Sequence, residues 1–123
     1  MHEISVSMSF SAAHNLRGYR GKCEELHGHN WKVEAALKGR KLNALGMLED
    51  FSTLKGVLKE VLALVDHTYL NDFEDFRKVN PTSENIASWV FKSLKERFSG
   101  GDAALSYVKV WETETNCACY SEP

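Results

Sequence analysis

The chain has 123 residues, of which 43% are hydrophobic and 26% are charged, and its formal net charge is −2 at pH 7. This composition predicts a single globular domain over residues 1–123 that is large enough to form a core. The weak negative charge and the absence of a basic run argue against nucleic-acid binding, and no apolar segment is long enough to span a membrane. The three cysteines lack the spacing of a disulfide framework, which favours a reducing, cytoplasmic location.

Two alternating segments predict the first pair of strands. Over residues 3–12, apolar side chains alternate mainly with serines, and His14 has the parity of the apolar side. A second strand is predicted over residues 27–37, in which His27 and His29 share the parity of the apolar side chains. All three histidines are therefore expected on the face of the sheet that is turned toward the core.

The three histidines are also expected to meet at one end of this hairpin. Antiparallel pairing places the end of the first strand beside the start of the second, and the Cα atoms of His27 and His29 would lie about 6.6 Å apart. Three neutral imidazoles crowded on an apolar face would leave ring nitrogens without partners unless a cation bound them. This predicts a metal centre with an open coordination position, as in catalytic zinc sites. The alternative is that the histidines are polar caps on the core.

Cys23 lies four residues before His27, and this spacing leaves its role open. In one hypothesis its thiolate is a fourth metal ligand, which would make the site a structural one. In the other it is a nucleophile or a base beside the ion, where positive charge favours the thiolate.

The hydrophobic period changes to a helical one in the middle of the chain. Residues 38–50 are predicted to be a loop with a short strand at Met47–Glu49. From about Ser52 to Val65, apolar residues recur as on one face of a helix. Asp66 and His67 follow where this helix ends, so the carboxylate can turn onto the imidazole and orient it as a general acid or base. As an isolated dipeptide, the pair is more typical of a protein surface.

A second helix is predicted to begin after Thr82, whose hydroxyl is the expected N-cap. Glu84 lies in the first turn, where a carboxylate compensates the helix dipole. The apolar stripe of this helix consists of Ile86, Val90, Leu94 and Phe98.

The last predicted hairpin pairs residues 107–113 with residues 117–120. Glu112 has the parity of the apolar residues in its strand, and a buried carboxylate costs free energy unless it accepts hydrogen bonds. A heterocycle with two N–H groups would supply the donors; the alternative is that Glu112 lies at a solvated strand end. Cys117 and Cys119 are interpreted as small strand residues rather than metal ligands, because the sequence shows no further soft ligands for them.

Six motifs together resemble the 6-pyruvoyltetrahydropterin synthase and 6-carboxytetrahydropterin synthase family over essentially the whole chain. Each motif is weak alone, but their order and separations make the resemblance specific. The motifs are FSAAH with His14, CEELHGHNW with Cys23, His27 and His29, MLEDFSTLK at 47–55, VDHTYLND with Asp66 and His67, NPTSEN with Thr82 and Ser83, and VWETET with Glu112.

For the fold, the resemblance implies an α+β T-fold (tunnelling fold), in which a four-stranded antiparallel sheet has two helices packed on one face. It also implies a homohexamer of two stacked trimers, each of which closes its sheets into a β-barrel. Barrel closure would cover edge strands that a lone sheet exposes. The active sites are then expected between subunits.

The resemblance also implies the roles of the site residues. The expected ligands of Zn²⁺ are His14, His27 and His29. Cys23 is implied to be the catalytic base, with Asp66 and His67 as its partner dyad. The residues implied to bind the pterin ring are Glu112, Thr82 and Ser83.

The implied substrate is 7,8-dihydroneopterin triphosphate. The carboxy branch of the family releases triphosphate and acetaldehyde and leaves 6-carboxy-5,6,7,8-tetrahydropterin, an early intermediate of 7-deazaguanine (queuosine) biosynthesis. The short chain and the compact spacing of Cys23 and the histidines favour this branch. Arg17, Arg20 and Lys22 are nearby candidates for binding the triphosphate.

Other functions stay open at this point. The pyruvoyl product of the biopterin branch requires the same catalytic groups. Glu24 has the spacing of a carboxylate that supports cleavage to 6-hydroxymethyl-7,8-dihydropterin in the folate-linked branch, so a dual activity is a further hypothesis. A zinc-stabilised scaffold without turnover is the alternative outside enzymology, although binding alone would not require Cys23, Asp66 and His67.

Overall fold

The structure, a computed structural model, describes residues 1–21 and 25–123. The helices and strands in chain order are β1 (His2–His14), β2 (His27–Gly39), α1 (Phe51–Ala63), β3 (Thr68–Tyr69), α2 (Ser83–Lys95), β4 (Ala104–Trp111) and β5 (Cys117–Tyr120). Short 3₁₀ helices cover Leu70–Asp72, Glu74–Phe76 and Glu96–Phe98. The strands form one sheet in the order β3-β1-β2-β4-β5.

The four long strands pair antiparallel, as predicted, and the two-residue β3 adds a parallel edge that was not predicted. β3 forms because the chain turns sharply after α1. His67 has a left-handed backbone with φ 58°, and its N–H donates to the carbonyl of Ser11 at 2.6 Å. The next two residues then run beside the end of β1, and two residues are too few to leave a period in the sequence.

The prediction of a short strand at Met47–Glu49 was wrong. These residues lie in a loop, and the carbonyl of Met47 accepts a hydrogen bond from the N–H of Asn43 at 2.8 Å. The Asn43 side chain accepts from the N–H groups of Leu45 and Met47, so the segment closes on itself instead of pairing with the sheet. Asp50 then caps α1 by accepting from the N–H of Ser52 at 2.8 Å.

The core lies between one face of the sheet and the two helices. α1 packs over β1, and α2 packs over β4 and β5. The alternation of β1 and β2 places their apolar side chains, such as the fully buried Trp31 and Val33, in one core with Leu58 of α1 and Leu94 of α2. Among the described residues, no helix has the length and apolarity that a membrane crossing requires.

The register of the first hairpin positions the histidines. His14 is the Cα partner of His27, and Ala12 is the partner of His29. Because His14, His27 and His29 share the parity of the buried side chains, all three project toward the helical layer at the same end of the sheet. Thr82, the N-cap predicted for α2, accepts from the N–H of Asn85 at 3.1 Å and starts the helix beside them.

Leu58→Ala is expected to lower the free energy of unfolding by about 2–5 kcal/mol, because it leaves a cavity under a fully buried side chain of α1. Urea denaturation followed by circular dichroism measures this loss. Leu64→Ala is the matched control: Leu64 follows the same helix, is 59% exposed, and should change the value by less than about 0.5 kcal/mol. A similar loss in both variants would contradict the assignment of the core.

Candidate metal centre

Three imidazoles converge at the end of β1 and the start of β2. The ring centroids of His14 and His27 are 4.5 Å apart, those of His27 and His29 are 4.8 Å apart, and those of His14 and His29 are 5.5 Å apart. The convergence expected from strand parity is therefore present. The role of the three histidines as metal ligands stays a prediction, and the hydrogen bonds of each ring bear on it.

The tautomer of His14 is determined by a backbone carbonyl. The side chain is 1% exposed, and Nδ1 lies 2.8 Å from the carbonyl oxygen of Pro81, which comes just before α2. A carbonyl only accepts hydrogen bonds, so Nδ1 carries the proton, and Nε2 of the neutral ring presents a lone pair. Burial, the largest cause, lowers the pKa of His14 below its ordinary value, which favours this neutral ring.

The other two rings also direct Nε2 into the cluster. Nδ1 of His27 lies 2.7 Å from the carbonyl oxygen of Glu25 and must be its protonated nitrogen. Nε2 of His29 is buried and has no hydrogen-bond partner among the described residues. A buried ring nitrogen without a partner is costly, and the cost falls when a cation binds it.

The Glu112 carboxylate, one residue beyond β4, completes the cluster. Its Oε1 lies 2.9 Å from Nε2 of His29, 3.1 Å from Nε2 of His14 and 3.7 Å from Nε2 of His27. The 2.9 Å contact with His29 is short enough for a hydrogen bond but is not aligned for one. The contact with His14 would need a proton on Nε2, which its neutral tautomer lacks.

The donor set therefore fits a divalent cation. The four ligand atoms, one from each of His14, His27, His29 and Glu112, all lie within 4.8 Å of one another. Imidazole nitrogens and a carboxylate oxygen are ligands that Zn²⁺ accepts. Donation of the second ring N–H to a carbonyl, seen for His14 and His27, is the usual support of a metal-ligating histidine.

Trp31 and Pro81 form the surroundings of the cluster, and sequence reasoning gave neither a role there. The Trp31 ring packs edge-on against His14 at a centroid distance of 4.8 Å and against His29 at 5.3 Å. Trp31 shares the parity of these histidines, and that signal could have identified it. The contribution of the Pro81 carbonyl has no sequence signal, because any residue can supply a carbonyl.

A cleft of about 410 Å³ lies beside Glu112. Its lining consists of Ser83, Glu84, Glu112, Asn116, Cys117, Ala118 and Cys119. Ser83, predicted to help bind the substrate, is thus close to Glu112, whereas the Thr82 hydroxyl serves as a helix cap. The sequence analysis interpreted Glu84 only as a carboxylate in the first turn of α2. The structure shows that it also lines this cleft.

Asp66 and His67 form a pair that is attached to β1. Oδ1 of Asp66 accepts from the N–H of Ser11 at 2.9 Å and lies 3.1 Å from Nδ1 of His67. The hydrogen bond from Ser11 is the largest cause that lowers the pKa of Asp66, so this carboxylate stays ionised and can orient the ring. The His67 side chain is 81% exposed and shares a cleft of about 440 Å³ with His29.

Three of the residues that the sequence suggested for catalysis or substrate binding lie in a segment that the structure does not describe. Cys23, Glu24 and Lys22 lie outside the described residues. Arg17 is described, and its guanidinium donates to the carbonyls of Asn71, Phe76 and Val79 at 2.8–3.3 Å. Arg17 therefore connects the segment after β1 to residues 71–79, and its role in binding triphosphate stays a prediction.

Comparison with known proteins identifies the family. The family model described as 6-pyruvoyl tetrahydropterin synthase matches residues 3–123. The chain belongs to this family. The prediction that it is an enzyme of this family is confirmed by relatives that carry enzyme names, two of which follow.

A 6-carboxy-5,6,7,8-tetrahydropterin synthase of Synechocystis sp. is 40% identical over 98% of this chain and 93% of that protein. One of Haemophilus influenzae is 33% identical over 99% of this chain and all of that protein. The structure of Caenorhabditis elegans 6-pyruvoyl tetrahydropterin synthase superposes with a TM-score of 0.88 at 33% identity, covering 99% of this chain and 96% of that one. These findings confirm the predicted α+β T-fold.

His29→Ala is expected to weaken Zn²⁺ binding at least about 100-fold, since even residues that only support ligands contribute 10- to 100-fold. Competition with a chromogenic chelator measures the affinity. His2→Ala is the matched control because His2 is exposed at the start of β1, away from the cluster. Unchanged affinity in the His29 variant, with the fold verified by circular dichroism, would contradict the site.

Proposed function

We propose that the protein is a zinc-dependent lyase that converts 7,8-dihydroneopterin triphosphate to 6-carboxy-5,6,7,8-tetrahydropterin, acetaldehyde and triphosphate, in 7-deazaguanine (queuosine) biosynthesis. The observation that carries the proposal is the set of three Nε2 atoms directed at one point, two of them with tautomers determined by carbonyls. Family membership and the names of the relatives supply the substrate class.

In the proposed mechanism, His14, His27 and His29 hold Zn²⁺. The choice of zinc follows the family resemblance, because three imidazoles suit several divalent ions. When bound, the ion supplies Lewis acidity at the side-chain oxygens of the substrate. The fit is supported by the buried Nε2 of His29, which lacks a hydrogen-bond partner in the described part of the chain.

The proton transfers are assigned to Cys23 and His67. The Cys23 thiolate accepts a carbon-bound proton of the substrate side chain. Nδ1 of His67 faces Asp66, so Nε2 points away from the carboxylate and can move a second proton. This internal redox chemistry requires no nicotinamide cofactor.

Glu112, Ser83 and Thr82 are proposed to hold the pterin ring, which would occupy the cleft beside Glu112. A carboxylate accepts two N–H groups of such a ring with charge-assisted hydrogen bonds. Ser83 and Glu112 line this cleft together.

We also propose the assembly that the resemblance implies, a cytoplasmic homohexamer of two trimers with active sites between subunits. The 81% exposure of His67 fits this arrangement, because a neighbouring subunit could cover the ring and exclude water from it. Analytical ultracentrifugation tests the hexamer directly.

The decisive assay incubates the purified protein with Zn²⁺ and 7,8-dihydroneopterin triphosphate and identifies the product by mass spectrometry. We expect consumption of the substrate and a mass of the carboxy product together with acetaldehyde. Absence of any consumption with the metal bound would remove the enzyme proposal and leave a zinc-stabilised scaffold.

The pyruvoyl product is the second candidate. It is favoured by the 33% identity and the TM-score of 0.88 to the Caenorhabditis elegans 6-pyruvoyl tetrahydropterin synthase. The same assay separates the two reactions, because the pyruvoyl product retains the three side-chain carbons and no acetaldehyde appears. A hydroxymethyl product would instead support a role for Glu24.

Cys23→Ala is expected to abolish turnover, by more than about 100-fold, because a general base contributes 10²–10⁴-fold. The variant should keep the full complement of Zn²⁺, which inductively coupled plasma mass spectrometry measures. Loss of the metal together with activity would instead make Cys23 a ligand. Turnover at the wild-type rate would exclude it as the base.

A further inference from the structure

The position of Glu112 points to a function beyond holding the ring. We propose that Glu112 is the fourth ligand of the metal in the substrate-free enzyme, and that it leaves the metal when substrate enters. The centre is then closed at rest and opened by the substrate. This inference rests on two parts of the proposed function, namely that the site binds a metal and that the substrate is a pterin.

The distances from Glu112 to the three Nε2 atoms lie on either side of the separation expected between ligands of a tetrahedral ion. Bonds of about 2.0–2.1 Å separate the ligand atoms of a regular tetrahedron by roughly 3.3–3.4 Å. Oε1 lies 2.9 Å from Nε2 of His29, 3.1 Å from that of His14 and 3.7 Å from that of His27, so it is within reach of an ion held by all three. A carboxylate that merely bordered the site would lie close to one imidazole, not all three.

The hydrogen bonds at Nδ1 of two rings argue against a cluster held by hydrogen bonds alone. His14 and His27 each donate the Nδ1 proton to a backbone carbonyl, so a hydrogen bond from either Nε2 to Glu112 would require a second proton on that ring. Nε2 of His29 is close to Oε1 but not aligned for a hydrogen bond. A cation bound by Oε1 of Glu112 and the three Nε2 atoms would give each of these four atoms a partner.

Glu112 is also positioned so that its carboxylate can move away from the metal. It is the first residue after β4, its side chain is 28% exposed, and residues 113–116 form an exposed turn. Rotation of the side chain would direct the carboxylate into the cleft that it shares with Ser83. There it would accept the N–H groups of a heterocycle, so one carboxylate would serve the metal at rest and the ring when substrate is bound.

The exchange has a functional consequence. A site closed by a carboxylate resists water and small anions, whereas an open three-histidine site binds them readily. Substrate displaces the carboxylate because its side-chain oxygens replace the lost bond and its ring N–H groups satisfy the released Glu112.

The experiment uses the Co²⁺-loaded full-length protein, whose visible absorption reports the coordination of the metal. Wild type is compared with Glu112→Gln, which keeps the side-chain shape, and with Glu84→Gln. Glu84 lines the same cleft but does not belong to the cluster of ligand atoms, so this variant controls for the loss of one negative charge. Each protein is titrated with thiocyanate and with a competing chelator, and Glu112→Ala is used if the Gln variant does not fold.

We expect thiocyanate to bind the Glu112→Gln centre at least about tenfold more tightly than wild type or Glu84→Gln. Co²⁺ affinity should fall roughly 10- to 100-fold in the Glu112 variant alone. Neopterin, a stable pterin with the hydroxylated side chain, should change the wild-type spectrum. Equal thiocyanate binding and equal Co²⁺ affinity in all three proteins would overturn the inference.

Two further outcomes separate this inference from the proposed function. A wild-type protein that binds no Co²⁺ or Zn²⁺ would overturn both. A wild-type spectrum unchanged by saturating neopterin would overturn only the displacement of Glu112 and would leave the lyase proposal standing.

Discussion

The direction of the ring nitrogens is the constraint on which the rest of the site depends. Two carbonyls accept hydrogen bonds from the Nδ1–H groups of His14 and His27, so Nε2 of both rings faces one point. One carbonyl belongs to Pro81 at the entry of α2, and the other belongs to Glu25 in the loop before β2. The packing of α2 against the sheet therefore sets the chemistry of a histidine on β1, far away in the sequence.

This arrangement couples the metal to the fold. Buried acceptors that face one another without a donor cost free energy, which a bound cation recovers. His14 is almost fully buried beneath this cluster, and Trp31 packs against two of its rings. A cation that binds these ring nitrogens in the native state would stabilise the fold by mass action.

Strand β1 positions both a predicted metal ligand and the Asp66–His67 pair. β1 ends in His14, and three residues earlier its backbone binds Asp66 and His67 through Ser11. The left-handed φ of 58° at His67 costs of order 1–3 kcal/mol in a non-glycine residue, and the backbone hydrogen bond to Ser11 maintains it. Such local strain, at a histidine that is 81% exposed, is typical of a functional position rather than a packing one.

The sequence by itself determined the hairpin, its register of histidines, both helices and the cap at Thr82, because each of these depends on a local period or a local hydrogen bond. It also identified the family, since six short motifs stand in the family's order. Only the tertiary structure decided that Pro81 orients His14, that Glu112 reaches all three imidazoles, and that β3 joins the sheet. Each of these is a contact between residues far apart in the chain, made by a carbonyl, a carboxylate or two backbone units, and such contacts leave no period in the sequence.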